Sequence, residues 1–216
     1  MSIRFGKKPF QIAIDGPVAA GKSTAAKGVA LTLGFLYVDT GAMYRAVAYK
    51  AMQGCVQWVD EEKVVKLMST LNLELDKPSK SEEDGRLVTV LLDGRDVSKQ
   101  IRTSLMGEGA SIVSTYAGVR EMLVAMQQNI AQGENVVMEG RDIGTRVLPK
   151  ASLKIYMDAD VERRVRRKWK YLRSKGERLS LKQVRDDLEK RDEREMSREL
   201  DPLRPANGAW ILDTSG

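Results

Sequence analysis

Phe10 to Gly34 reads FQIAIDGPVAAGKSTAAKGVALTLG. A short, largely apolar run passes into a glycine-bounded loop, and the residues beyond it have the spacing of a helix. Strand, glycine loop and helix are the context in which G-x-x-x-x-G-K-[ST] cradles the phosphates of a nucleoside triphosphate. The candidate nucleotide-binding residues are therefore Gly16, Pro17, Val18, Ala19, Ala20, Gly21, Lys22, Ser23 and Thr24. Glycines let backbone amides turn inward around an anion, and a helix starting near Gly21 aims its positive end at that anion. Lys22 is the candidate to bridge the β- and γ-phosphates and Ser23 the candidate to ligate Mg2+. Gly34, after the helical pattern, reads as a C-cap.

Composition narrows the chemistry. The chain has 216 residues, no histidine, one cysteine and a formal net charge of +6. Without an imidazole there is no Ser-His-Asp triad, no papain-like Cys-His pair and no His-ligated zinc or haem. One cysteine, Cys55, cannot form an intrachain disulfide, and MSIRFGKKPFQIAID lacks the apolar run of a signal peptide, so the cytoplasm is the expected compartment. No stretch approaches the roughly 18 apolar residues of a membrane span, so no membrane partner is expected. The basicity is local: Val161–Arg198 holds 15 Lys+Arg against 8 Asp+Glu, leaving 21 against 22 elsewhere. That segment reads either as solvated helices of mixed charge or as an arginine-rich lid over polyphosphate.

Further strand and turn signals supply an acceptor. After a second strand (35–38), DTGAMYR at Asp39–Arg45 reads as a glycine turn leading into a helix, and a strand at 135–138 ends in EGRDIGT at Glu139–Thr145. Charged, glycine-flanked turns at the carboxyl ends of strands are where open α/β sheets bind ligands. Arg45 and Arg141, each placed just after a strand and glycine turn, would converge above the sheet for bidentate contacts to a phosphate. Asp15, Asp39 and Glu139, at strand ends, read equally as holders of metal-bound water and as caps of turns and helices.

The set IAIDGPVAAGKST, VDTGAMYRA, DVSKQIRT, VREMLVAMQQ, VMEGRDIGT, KIYMDADVERRVRRK, RDEREMSRELDPL and ILDTS, in this order, resembles bacterial cytidylate kinases over essentially the whole chain. The resemblance implies an α/β P-loop NTPase three-layer fold, with a mainly parallel sheet flanked by helices, a monophosphate-binding insert and a helical lid. It implies transfer of the γ-phosphoryl group of ATP to CMP or dCMP with Mg2+, in a monomer. By the same resemblance, Arg45, Arg141 and Arg198 match the arginines that hold the acceptor phosphate, with Thr40 in the same motif as Arg45. Ser111, Arg120 and Asp142 match the readers of the cytosine edge, where a carboxylate facing the N4 amine and an Arg and hydroxyl facing O2 and N3 exclude uracil. Arg191 and Glu195 match the sugar-contacting positions, although the family usually carries Asp where this chain has Glu195. Their alternative reading, with Arg198, is an ion network on a helix surface.

The same comparison divides the single kinase domain into a core of about 1–40, 117–158 and 199–216, an insert of about 41–116, and a lid with its following helix at about 159–198. Arg166 or Arg167 is expected to reach the transferring phosphate, and with Lys22 and Arg141 completes the catalytic set. Lys175-Gly176-Glu177 is the expected lid turn, residues 72–76 and 87–93 a hairpin, and 111–132 a helical stretch carrying Ser111 and Arg120. Two other readings are weighed: another P-loop kinase acting on UMP or a different small acceptor, and a P-loop protein binding nucleic acid through its basic segment.

Overall fold

Strand β1 (Gln11–Asp15) stands at the centre of a five-stranded sheet. The order is β2 (Leu36–Asp39), β6 (Val136–Gly140), β1, β7 (Leu153–Asp158) and β8 (Trp210–Asp213). The computed structural model describes residues 8–78 and 85–216. β1 pairs in parallel with both β6 and β7, and β7 with β8. Ile12, Ala13 and Ile14 are fully buried, as a strand covered on both faces requires. The register sets Asp15 opposite Gly140 on one side and Tyr156 on the other, so the carboxyl ends of β1, β6 and β7 share one edge. That edge is where a doubly wound sheet binds its ligands.

Two compact units divide the chain, one made of the residues up to Leu36 together with Gly133–Gly216, the other of Tyr37–Gln132. Helix α1 (Lys22–Leu33) belongs to the first and ends at Gly34, whose φ of 69° is left-handed, as its C-cap role demands. The first unit also holds α6 (Val161–Ser174) and α7 (Leu181–Ser197). The turn between them has Gly176 at φ 84°, and α7 starts with a reciprocal Ser180–Gln183 capping box. Val165, Leu172, Val184 and Leu188 form a small core between these helices, with Trp169 and the loop residue Val18 packed against it. The Trp169 indole donates to the Leu179 carbonyl at 3.0 Å, and the Arg173 guanidinium lies over its ring at 4.8 Å.

The second unit holds α2 (Thr40–Gln53), α3 (Glu61–Met68), α4 (Ser104–Val113) and α5 (Ala117–Ala131). It also holds an antiparallel sheet of β3 (Leu73–Asp76), β4 (Thr89–Leu92) and the two-residue β5 (Arg95–Asp96). The expected hairpin is β3 and β4, and β5 adds a strand too short to leave a sequence signal. Residues 79–84 of its KPSKSEEDGR connection lie outside the described residues, as do residues 1–7.

Two local expectations are corrected. No separate glycine turn follows β2, because Asp39 caps α2 directly, accepting from the Ala42 amide at 3.0 Å, and Gly41 lies inside the first helical turn. The stretch 111–132 is two helices. At the break, the Ser114 hydroxyl donates to the Ser111 carbonyl and that of Thr115 to Ile112, competing with further helix, and Tyr116 is extended.

Gly109 shows how tightly α4 packs in this unit. A Cβ there would stand 2.7 Å from the Trp58 ring and 2.8 Å from Ala48. Trp58 cannot give way cheaply, since its indole donates to the Ala48 carbonyl and its own carbonyl accepts from the Tyr116 hydroxyl, each at 2.8 Å. Gly109→Ala is expected to cost about 1–3 kcal/mol by overpacking, seen as a Tm lowered by several degrees in thermal unfolding.

Candidate active site

The loop after β1 is shaped by close approach. A Cβ on Gly16 would lie 1.9 Å from the Met157 carbonyl oxygen, and Gly16 holds φ 143°, so only glycine fits. Ala19 (φ 62°) and Gly21 (φ 91°) are also left-handed, and Gly21 begins α1 with no side chain capping its first amides. Open amides at a helix start are what an anion needs. Lys22 is buried, with Nζ donating to the Pro17 carbonyl at 2.6 Å. Burial and the nearby Arg141 push its amine down to about 7, against the opposing pull of Glu139, Glu195 and Asp15. Ser23 donates its hydroxyl to Glu139 Oε2 at 2.9 Å.

The strand-end carboxylates separate into different roles. Glu139, buried beside Ser23, is the one set against the nucleotide loop. Asp15 accepts the backbone amides of Ile143 and Gly144 at 2.8 and 2.7 Å. Asp39 caps α2 and pairs with Arg45 at 2.8 Å and Arg102 at 3.3 Å. Burial works to raise the Asp39 carboxyl, but those two arginines outweigh it and hold it below its ordinary range.

At the end of β6 the first unit gathers Arg141, Asp142, Arg191, Glu195 and Arg198. Arg141 Nε donates to Glu195 Oε2 at 2.5 Å, and Arg191 Nη2 reaches Glu195 Oε1 at 3.4 Å. Glu195 is buried on α7; burial alone would raise its carboxyl, yet Arg141 and Arg191 bring it down to about 2. The helix pair Arg191–Glu195 is thus real and also interior, and it is joined to the Arg141 guanidinium. Arg198 donates to the Asp201 carbonyl at 2.7 Å, with its Nη2 at 3.9 Å from Asp142 Oδ1.

The second unit carries Thr40, Arg45, Ser111 and Arg120. Thr40 is buried at the first position of α2, and Arg45 Nε has no hydrogen-bond partner among the described residues. Arg120, buried on α5, reaches the Tyr44 hydroxyl at 3.3 Å, and Ser111 is buried on α4. Tyr44 and Arg102 are the additions here; both lie inside the quoted motifs VDTGAMYRA and DVSKQIRT, and Tyr44 adjoins Arg45.

Among the α6 arginines, Arg166 is exposed, and Arg167 donates to the Thr214 carbonyl at 2.5 Å and its hydroxyl at 3.1 Å. The buried one is Arg164. It donates to the Ala159 carbonyl at 3.0 Å and to Asp192 Oδ2 at 2.6 Å, and lies 3.5 Å from the Val18 carbonyl of the nucleotide loop. A signal for it existed: Val184, Leu188, Asp192 and Glu195 lie on one face of α7, so carboxylates occupy positions of an apolar stripe and call for buried cations.

The family model described as cytidylate kinase matches residues 12–216. A cytidylate kinase of Lysinibacillus sphaericus is 47% identical over 97% of this chain and 91% of its own length. One of Desulfitobacterium hafniense is 46% identical over 97% of this chain and 88% of its own. Among solved structures, a shikimate kinase from Bacteroides thetaiotaomicron aligns over 94% of this chain and 84% of its own, with 14% identity and a TM-score of 0.43. With that length of match and that level of identity, the chain belongs to the cytidylate kinase family.

Proposed function

We propose that this protein transfers the γ-phosphoryl group of ATP to CMP and dCMP, giving CDP and dCDP. The observation that carries the reading is one unit holding both a phosphate-binding loop and, beside Lys22, the Arg141–Asp142 turn, in a chain of this family. ATP takes the loop of Gly16–Thr24. The acceptor phosphate is assigned to Arg45, Arg141 and Arg198, with Thr40, the cytosine edge to Ser111, Arg120 and Asp142, and the sugar to Arg191 and Glu195.

The reaction needs charge placement more than proton abstraction. An acceptor phosphate oxygen is already anionic, so no general base is required and the lack of histidine costs nothing. Lys22 and Arg141 are placed to hold donor and acceptor in line and to meet the charge that spreads over the transferred group. Arg167 or Arg166 is assigned to the transferring phosphate from α6. For Mg2+, the Ser23 hydroxyl with the buried Glu139 carboxylate is a fitting hard-oxygen pair. Among the described residues no group of three or more acidic, His or Cys side chains forms a closed metal cage, so phosphate oxygens and water would complete the shell. When bound, the ion neutralises phosphate charge. No described helix is long and apolar enough to cross a membrane, and we assign the protein to the cytoplasm as a monomer.

A coupled ADP-release assay with ATP, Mg2+ and a panel of monophosphates tests the reading. CMP and dCMP are expected to be turned over, and UMP at least tenfold less well, because an unpaired buried carboxylate facing uracil costs on the order of a few kcal/mol. Equal rates with UMP and CMP would remove the role of Asp142. Lys22→Ala is expected to lower kcat by about 10²–10³-fold with the circular-dichroism spectrum unchanged. Glu195→Gln carries a pH signature. The Glu195 carboxyl is depressed from 4.5 to about 2 on folding, so its stabilisation is complete above 4.5 and is lost as pH falls toward 2. The variant should be less stable than the parent by on the order of 3 kcal/mol at pH 7, with the gap in Tm closing as pH falls from 5 to 3.

A further inference from the structure

The turn that carries Arg141 and Asp142 is fixed in an unusual way. Upstream, Gly140 is the end of the β6 ladder against β1. Downstream the backbone enters a π-helical turn, Ile143–Val147, with Asp142 in the N-cap position. The Asp142 carbonyl accepts from the Arg146 and Val147 amides at 2.8 and 3.2 Å. The first amides of such a turn have no partner within it and need an outside acceptor. Aspartate in the N-cap position ordinarily supplies one from its own side chain. Asp142 does not: no side-chain capping bond is made from it. The acceptor comes instead from Asp15, 128 residues earlier, whose Oδ1 takes the Ile143 amide at 2.8 Å and whose Oδ2 takes the Gly144 amide at 2.7 Å.

We propose that Asp15 is the positioning residue of the acceptor turn: by capping it in place of Asp142, it leaves the Asp142 carboxylate for recognition of the cytosine edge. This rests on the assignment of Asp142 to the base made above. Asp15 itself touches no substrate group in this scheme and acts through Asp142 and Arg141. Its burial is consistent with a dedicated task, since burial pushes its carboxyl up to about 6 while the two amides and Lys22 pull it down and Asp142 adds to the rise. A buried carboxylate held at that cost is retained for what it binds. Space around the turn is equally constrained, as a Cβ on Gly144 would meet Ala206 at 3.0 Å and Asp15 Oδ2 at 3.3 Å.

Asp15→Asn tests the proposal on the full chain. An amide side chain can accept one of the two backbone N–H groups but turns its own NH2 toward the other, so one cap is lost and Asp142, in the N-cap position, is the residue drawn to replace it. Expected is a CMP-over-UMP ratio of kcat/KM reduced at least tenfold, with KM for CMP raised, while the Kd for a non-hydrolysable ATP analogue measured without CMP stays within threefold. Gly144→Ala, which displaces the turn with the Asp15 carboxylate and the nucleotide loop intact, is expected to shift the same ratio in the same direction. Amide exchange read by NMR without any substrate should show Ile143 or Gly144 losing at least tenfold protection in Asp15→Asn. An unchanged CMP-over-UMP ratio in both variants overturns the proposal, as does a loss of ATP-analogue affinity equal to the loss with CMP, or unchanged protection of both amides. Failure of the unsubstituted chain to turn over CMP refutes the proposed function instead, and the exchange measurement then decides the capping by Asp15 alone.

Discussion

The nucleotide end of the sheet depends on how closely β1 and β7 run together where β1 ends. At Gly16 there is room for a hydrogen and nothing larger, because the Met157 carbonyl occupies the place of a side chain. A residue that accepts both that approach and a φ of 143° lets the chain leave the strand and curl back at once. The following residues therefore fall into a tight arc, with Lys22 folded onto the Pro17 carbonyl and Ser23 onto Glu139. The parallel register on either side of β1 then brings Gly140 and Tyr156 level with Asp15, so residues distant in sequence meet along one short edge.

Around that edge the arginines are held by carboxylates of the protein itself. Arg141 rests on Glu195 and Arg164 on Asp192; within the other unit, Arg45 rests on Asp39. A buried guanidinium without a counter-charge would be strongly destabilising, so a site made to receive polyphosphate needs such pairs to fold before its ligand arrives. Under the proposed function, a phosphate entering the site would compete with a carboxylate for the same planar donors. The gain on binding is then the difference between two good partners, which suits a catalyst that must release its products.

Much of this was legible in the chain. The strand, loop and first helix follow from a burial pattern, a glycine spacing and an αL cap at Gly34, all local signals. The short β5 and the break between α4 and α5 were hidden, since the break is made by Ser114 and Thr115 hydroxyls bonding back to the helix, and Ser and Thr also occur on helix surfaces, so the pair alone does not mark a break. Among the candidate site residues, the motif positions came from local patterns, whereas the partners of Asp15 and Arg164 are tertiary. Asp15 was ambiguous between metal and turn chemistry because its acceptor geometry is fixed by amides of Ile143 and Gly144, and no spacing rule links positions so far apart. The basic excess of α6 and α7 admits a nucleic-acid reading on composition, yet within it Arg164 is buried against Asp192 and Arg191 pairs with the buried Glu195.

The division of the chain bears on the order in which it can be assembled during synthesis. Tyr37–Gln132 is one uninterrupted stretch, so all partners of its core are present once residue 132 has emerged. The other unit is discontinuous: β1 finds its neighbours only in β6 and β7, and the Ala20 carbonyl meets the Thr214 hydroxyl across 194 residues. Contacts so remote pay their loop-closure entropy late and form slowly. A ribosome-bound chain can therefore complete its middle portion while its nucleotide loop, among the first segments made, is still waiting for the strands that give it shape.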